Sequence, residues 1–182
     1  MKAIKHWTIK IFFITLIISA GVSVAVEYFI GELSLVAAIG VLAAIIFVGI
    51  LFDIIGVAFS SCSEEPFIAM SAKKDERAHH ALKLLKNADI VANFCNDVIG
   101  DICGIVSGAA GAAIALKALV MNAELSEMAV SIAVSAIIAA CTVAGKAQGK
   151  SFAFKKNKDI VMMIGSIANF FSMKKKNKPG KS

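Results

Sequence analysis

The chain has 182 residues, of which 58% are apolar, with a mean hydropathy of +0.80 and a formal net charge of +6. Its apolar residues come in blocks near the ~20 that cross hydrocarbon, which points to an all-α integral membrane protein and excludes a soluble core. About four spanning helices use up the length, so a separate catalytic or nucleotide-binding domain is not expected.

The first expected span covers roughly residues 8–29, the second 33–59, the third 90–116 and the fourth 128–145, each bounded by charges or by turn residues such as Gly31 and Asn122. Lysines before span one, and small residues in "VSVA" at 22–25, also suit a cleavable secretory signal. A fifth apolar stretch, "DIVMMIGSIANFF", is too short to cross at ~1.5 Å per residue. Ile160, Ile164, Ile167, Ala168 and Phe171 recur at helical spacing against Ser166, Asn169 and Ser172, the pattern of a C-terminal amphipathic interfacial helix anchored by the lysines behind it. Three segments follow: 1–31 as an N-terminal span, 32–157 as the main transmembrane domain, and 158–182 as a juxtamembrane helix with a basic tail.

Charge predicts orientation. Four spans place all but one of the 19 Lys and Arg residues on one face, Lys117 being the exception, so the positive-inside rule puts both termini in the cytoplasm of a multi-pass plasma-membrane protein. The positive charge then serves topology and anionic lipid headgroups. Nucleic acid is not an expected partner.

Polar residues inside the spans carry the functional expectation. Asn93, Asp97, Gly100, Asp101, Gly104, Gly108 and Gly111 form one stripe on span three, with Asn96 beside it. Gly100, Gly104 and Gly108 make a small-xxx-small pattern suited to close helix packing. Span four matches it with Ser131, Ser135, Thr142, Lys146 and Gly149. Charges at bilayer depth are costly, which makes Asp53, Asp97 and Asp101 candidates for an ion site; pairing of Asp97 and Asp101 with Lys146 as packing is the structural alternative. Span two ends in "FSSCSEEPF", where a helix break at Pro66 would turn Ser61 and Ser63 toward those aspartates. The same serines can instead return their hydroxyls to the preceding turn. Cys62, Cys95, Cys103 and Cys141 are scattered without a C-x-x-C pair, and His79 and His80 sit in a basic helix. With no phosphate loop or nucleophile triad, an enzyme is not expected.

The stretch "FSSCSEEPFIAMSAKKDERAHHALKLLKNADIVANFCNDVIGDICG" resembles the CNNM/CorB/CorC family of membrane proteins linked to magnesium transport. That family ends a span in Ser-x-Ser-Glu, matched by Ser61, Ser63 and Glu64. It follows with a basic helix bearing an "ALKLL"-like run, and opens the next span with a Gly-Asn-Asn segment where this chain has "NDVIGD". "GKAQGKSFA" at 145–153 is similar to the family's Gly-Glu-x-x-Pro-Lys-x-x-Ala ending through Gly145, Lys150 and Ala153. The resemblance covers about residues 35–172. It implies binding or transport of Mg²⁺ or a similar divalent cation such as Co²⁺ or Mn²⁺, a homodimer, and a metal site drawn from Ser61, Ser63, Glu64, Asn96, Asp97 and Asp101. Two departures stand out. Lys146 occupies the position of the family's glutamate, making it a modulator of the site, and the family's nucleotide-binding CBS domains have no counterpart here. A non-transporting structural or regulatory membrane subunit is the alternative function.

Overall fold

A computed structural model describes the backbone of residues 2–122, 124 and 126–176, and the side chains of residues 9–10, 12–122, 124 and 126–173. The basic tail beyond Lys176, including Lys178, lies outside the described residues, as do the side chains of Lys2 and Lys5. Every element is helical: α1 (Lys2–Glu32), α2 (Leu35–Ser61), α3 (Glu65–Ala72), α4 (Glu76–Leu85), α5 (Ala88–Asn93), a π-helical turn (Phe94–Ile99), α6 (Gly100–Met121) and α7 (Glu127–Lys176), with no strand among the described residues. Four helical stretches are long and apolar enough to cross a membrane: Phe12–Glu32, Leu35–Ser61, Ala88–Met121 and Glu127–Met173.

The chain divides into two compact units. Unit 1 comprises residues 1–52 and 97–148; unit 2 comprises 53–96 and 149–182.

In unit 1, α6 is the central helix. Its residues Ile102 and Val106, with Val98 of the π-helical turn, pack with Val26 and Ile45, while Ala110 and Ile114 join Ile30, Ala38 and Leu42. Small residues let neighbours approach: a Cβ on Gly111 would lie 2.3 Å from Ile138 Cδ1, and one on Gly145 would lie 2.2 Å from Ile50 Cδ1. Residues 35–52 of α2 are apolar on every side of the helix, a pattern with no polar face to turn toward water. Its first turn is capped by Ser34, whose Oγ accepts from the Ala37 N–H at 3.4 Å. At the same end of the unit Lys117 reaches from α6 to the carbonyls that close α1. Its Nζ donates to Gly31 O at 2.9 Å and also to Leu33 O, satisfying acceptors that a helix C-terminus leaves open and placing a cation at the negative end of the helix dipole.

In unit 2 a second core forms from Val57, Ala58, Phe59, Phe67, Ala81, Leu85, Ala153, Ile160 and Val161. Helix α4 presents Ala78, Ala81 and Leu85 inward. Asp75 caps its N-terminus, accepting from Arg77 N–H at 3.0 Å and Ala78 N–H at 3.5 Å. The Arg77 guanidinium folds back on the same carboxylate at 3.1 Å. That side-chain bond, helped by the backbone donors, holds the Asp75 carboxyl below its ordinary range.

Two expectations change. Span four does not end near residue 145: α7 continues to Lys176, with only Lys156 leaving helical geometry (φ −121°, ψ 21°). The segment beyond Lys156 is therefore joined to α7 through a kink, and two residues of its expected lipid face are placed against protein: Ile160 is buried in the unit 2 core and Ile164 packs on it. The break after span two also falls earlier than Pro66. Helix α2 ends at Ser61, and Pro66 stands in the first turn of α3, where its missing N–H costs nothing.

Candidate functional site

The expected site residues divide between the units: Ser61, Ser63, Glu64 and Asn96 belong to unit 2, and Asp97, Asp101 and Lys146 to unit 1.

Within unit 2 the serines do local work. Ser61 Oγ donates to Ala58 O at 3.4 Å, the return bond to the preceding turn. Asn157 Nδ2 donates to Ser61 O at 2.9 Å and lies 3.4 Å from Ser61 Oγ, so the open end of α2 is capped from α7. Ser63 Oγ accepts from the Glu65 N–H at 3.4 Å. Glu64, half-buried, precedes α3 and accepts through its carbonyl from the Phe67 and Ile68 N–H groups, both at 3.0 Å. Neighbouring Cys62 is partly buried; desolvation pushes its thiol up, and the Lys158 charge pulls it partly back. Asp53 is buried at 4% exposure. Asn96 lies within the π-helical turn, its amide pressed onto bare Gly56 so closely that a Cβ there would meet Asn96 Oδ1 at 2.0 Å. Asn96 Oδ1 is buried without a hydrogen-bond partner among the described residues.

Within unit 1 the structure brings Asp97 and Asp101 together with two hydroxyl residues absent from the expected site. They line one opening with Thr15 and Ser19 of α1, its walls completed by Phe12, Leu16, Val98 and Ile105, with a volume of ≈ 430 Å³. Both aspartates are exposed, and Thr15 and Ser19 are half-buried. Thr15 Oγ1 is buried with no hydrogen-bond partner among the described residues. Two carboxylates and two hydroxyls give an all-oxygen set, the kind a hard cation takes, and a volume of this size holds an ion together with several waters at roughly 30 Å³ each. No cluster of three or more His, Cys, Asp or Glu able to hold a metal occurs among the described residues. The hydroxyls and water would therefore have to complete any coordination around the carboxylate pair. Asp97 itself sits in the π-helical turn, one turn before Asp101 in α6. Such a turn inserts an extra residue into the helix and re-aims the side chains that follow, a device frequent at functional positions.

The signal for these partners is in span one: Thr15, Ser19 and Ser23 recur every four residues, a polar stripe that an ordinary membrane anchor does not need. Lys146 is half-buried on α7. Of the expected packing glycines, Gly100 is buried, whereas Gly104 and Gly108 are exposed, and nothing lies within 4 Å of where their Cβ atoms would be. The close intrachain approach on α6 is at Gly111 instead.

No protein-family model, curated protein or solved structure matches this chain.

Proposed function

We propose that this chain is a membrane protein that binds and passes a divalent cation of the Mg²⁺ type, as its motif resemblance to the CNNM/CorB/CorC transmembrane domain implies. The observation that carries the reading is the opening in unit 1 where Asp97 and Asp101 meet Thr15 and Ser19. In this proposal the aspartates supply the charge and the hydroxyls supply neutral ligands. Lys146 tunes the site as an internal cation. Ser61, Ser63, Glu64 and Asn96 shape the helix ends that hold the span in register.

Twenty residues of helix separate Asp97 from Lys117, about 30 Å, which is the thickness of the hydrocarbon core. Asp97 would then lie at one boundary with Asp101 one turn inside it, a depth at which hydrated carboxylates are tolerable. The distribution of bases favours the cytoplasmic boundary of a plasma membrane, with both termini on that side, and favours the segment after Lys156 as an interfacial element on anionic lipid. Retention of the first helix is part of the proposal, because its loss would remove Thr15 and Ser19 from the site.

The second reading is a structural or regulatory subunit. Exposed Gly104 and Gly108 favour it, since a stripe of small residues left uncovered by the chain's own helices suits a second copy in a homodimer.

The test is a thermal melt of the purified protein across a Mg²⁺ titration, with a monovalent salt of matched ionic strength as control. Binding to the native state alone should stabilise by about 2.7 kcal/mol at a hundredfold excess over Kd. Asp97→Asn with Asp101→Asn should abolish the response, and Thr15→Val with Ser19→Ala should weaken it. A wild-type protein without any divalent-specific shift would overturn the cation reading. Flux into proteoliposomes then separates transport from binding alone.

A further inference from the structure

Unit 2 uses only part of the helix that follows Lys156. One side of it is taken by protein: Val161 is fully buried in the core, and a Cβ on Gly165 would lie 2.6 Å from Arg77 O. On the opposite side of the axis lies a second apolar stripe that no part of unit 2 covers. It carries Met163, Ile167 and Phe170, exposed at 54%, 46% and 61%, with Phe171, 64% exposed, beside it on the stripe of Ile160 and Ile164. Large apolar residues grouped in this way form the kind of contiguous patch that does not stay in water without a partner. Bases flank it in the sequence: Lys155, Lys156 and Lys158 precede it and Lys174, Lys175 and Lys176 follow it, while the neighbouring acid, Asp159, is ion-paired with Lys156 at 3.3 Å.

We propose that this second face docks unit 2 onto an anionic lipid leaflet, with Phe170 entering the acyl boundary and the positive charge of the flanking sequence drawn to headgroup phosphates. The helix is then two-sided, one face serving the protein core and the other serving lipid, and the lipid side is the face of Met163 and Phe170 rather than the one centred on Ile160 and Ile164. Charge decides between lipid and a second copy. Two copies meeting through this face would bring their lysine clusters together, which is unfavourable, whereas each base near an anionic leaflet is worth roughly fivefold in partitioning. The inference rests on the membrane assignment and not on the cation site, so either can fail alone.

The experiment uses the full chain reconstituted with Trp7→Phe and a single reporter, Phe170→Trp, in vesicles of phosphatidylcholine with or without phosphatidylglycerol, some carrying brominated acyl chains as quencher. Ser172→Trp, an exposed position on the far side of the same helix, is the comparison, and Ile167→Trp stands in if Phe170→Trp fails to fold. The expected result is strong quenching at 170 or 167 and little at 172, several-fold stronger with phosphatidylglycerol and reduced by added salt. Equal quenching at both sides of the helix, or none at 170 and 167, would overturn the proposal. So would efficient disulfide crosslinking between copies through Met163→Cys, which would show that a second copy covers the face.

Discussion

Two glycine-to-alanine substitutions should move stability in opposite directions. Gly165 is buried in α7, where an added Cβ would lie 2.6 Å from both Ala81 Cβ and Arg77 O and 3.0 Å from Ala81 N. Two of those atoms are backbone of α4 and cannot swing aside, so the helices must separate, and overpacking of this kind costs about 1–3 kcal/mol. With backbone in the way the upper half of that range, about 2–3 kcal/mol, applies; alanine's better helix propensity returns about 1 kcal/mol, leaving Gly165→Ala destabilising by roughly 1–2 kcal/mol. Gly40 lies in α2, and nothing stands within 4 Å of the point that an added Cβ would occupy. Gly40→Ala should therefore keep the propensity gain, about 0.5–1 kcal/mol of stabilisation. At about 2–4 °C per kcal/mol for a chain of this size, the two variants should melt roughly 3–12 °C apart, with wild type between them. Thermal unfolding by circular dichroism in one detergent reads this directly. If Gly165→Ala melts at or above wild type, α4 and α7 are not in the contact described, and the second face of that helix loses its definition as well.

Three further outcomes follow from named contacts. Lys117→Met keeps the aliphatic stem but removes two donors from the closing carbonyls of α1 and the cation from its dipole; it should cost about 2–3 kcal/mol in thermal unfolding, whereas Lys150→Met on an exposed site should stay near wild type. Asp75 is held below its ordinary range by Arg77, so its cap on α4 is complete above the unfolded pKa near 3.8 and is lost as the pH falls through the lower native value. The amide resonances of Arg77 and Ala78 should therefore move with an inflection below that value and not in Asp75→Asn; an inflection at or above it would contradict the cap. An added Cβ at exposed Gly104 has nothing within 4 Å, so Gly104→Leu should change the melting of a monomer little while shifting the size distribution of a dimer in light scattering; no shift in size would remove this face from consideration as an interface.

The four long helices were legible because a run such as residues 33–52, without a single charge, has no stable place except a bilayer or a deep core. The aspartates of span three were legible for the same reason, as charges where charges are expensive. Thr15 and Ser19 were legible only as a stripe with Ser23, since a hydroxyl in a membrane helix usually bonds its own preceding turn and the spacing does not name a partner helix. Only the packing of α1 on α6 makes them neighbours of the carboxylates. The kinked continuation of α7 was hidden for a different reason. Lys150, Lys155, Lys156 and Lys158 read as the end of a span, yet lysine is a good helix former, and the cost of leaving hydrocarbon does not require the helix to stop. The periodic apolar residues beyond them were visible, but periodicity cannot separate a face that packs on α4 from one that faces lipid when both are apolar.

The π-helical turn connects these observations. A strictly α-helical third span would advance 100° per residue from Ala88 to Met121, fixing the direction of Asn96 and Asp97 by the packing of Val98, Ile102 and Val106. The extra residue accommodated between Phe94 and Ile99 uncouples the two requirements. In unit 2 Asn96 fills the space above Gly56, and in unit 1 Asp97 and Asp101 line the opening with Thr15 and Ser19. Removing one residue from the turn should restore a continuous α-helix and re-aim Asp97, which lies within it. If cation-dependent stabilisation survived such a deletion undiminished, the turn would be a local accommodation of Asn96 and not part of the site. If stabilisation were lost while the melting point without cation stayed close to wild type, the turn would be what sets the aim of the carboxylates.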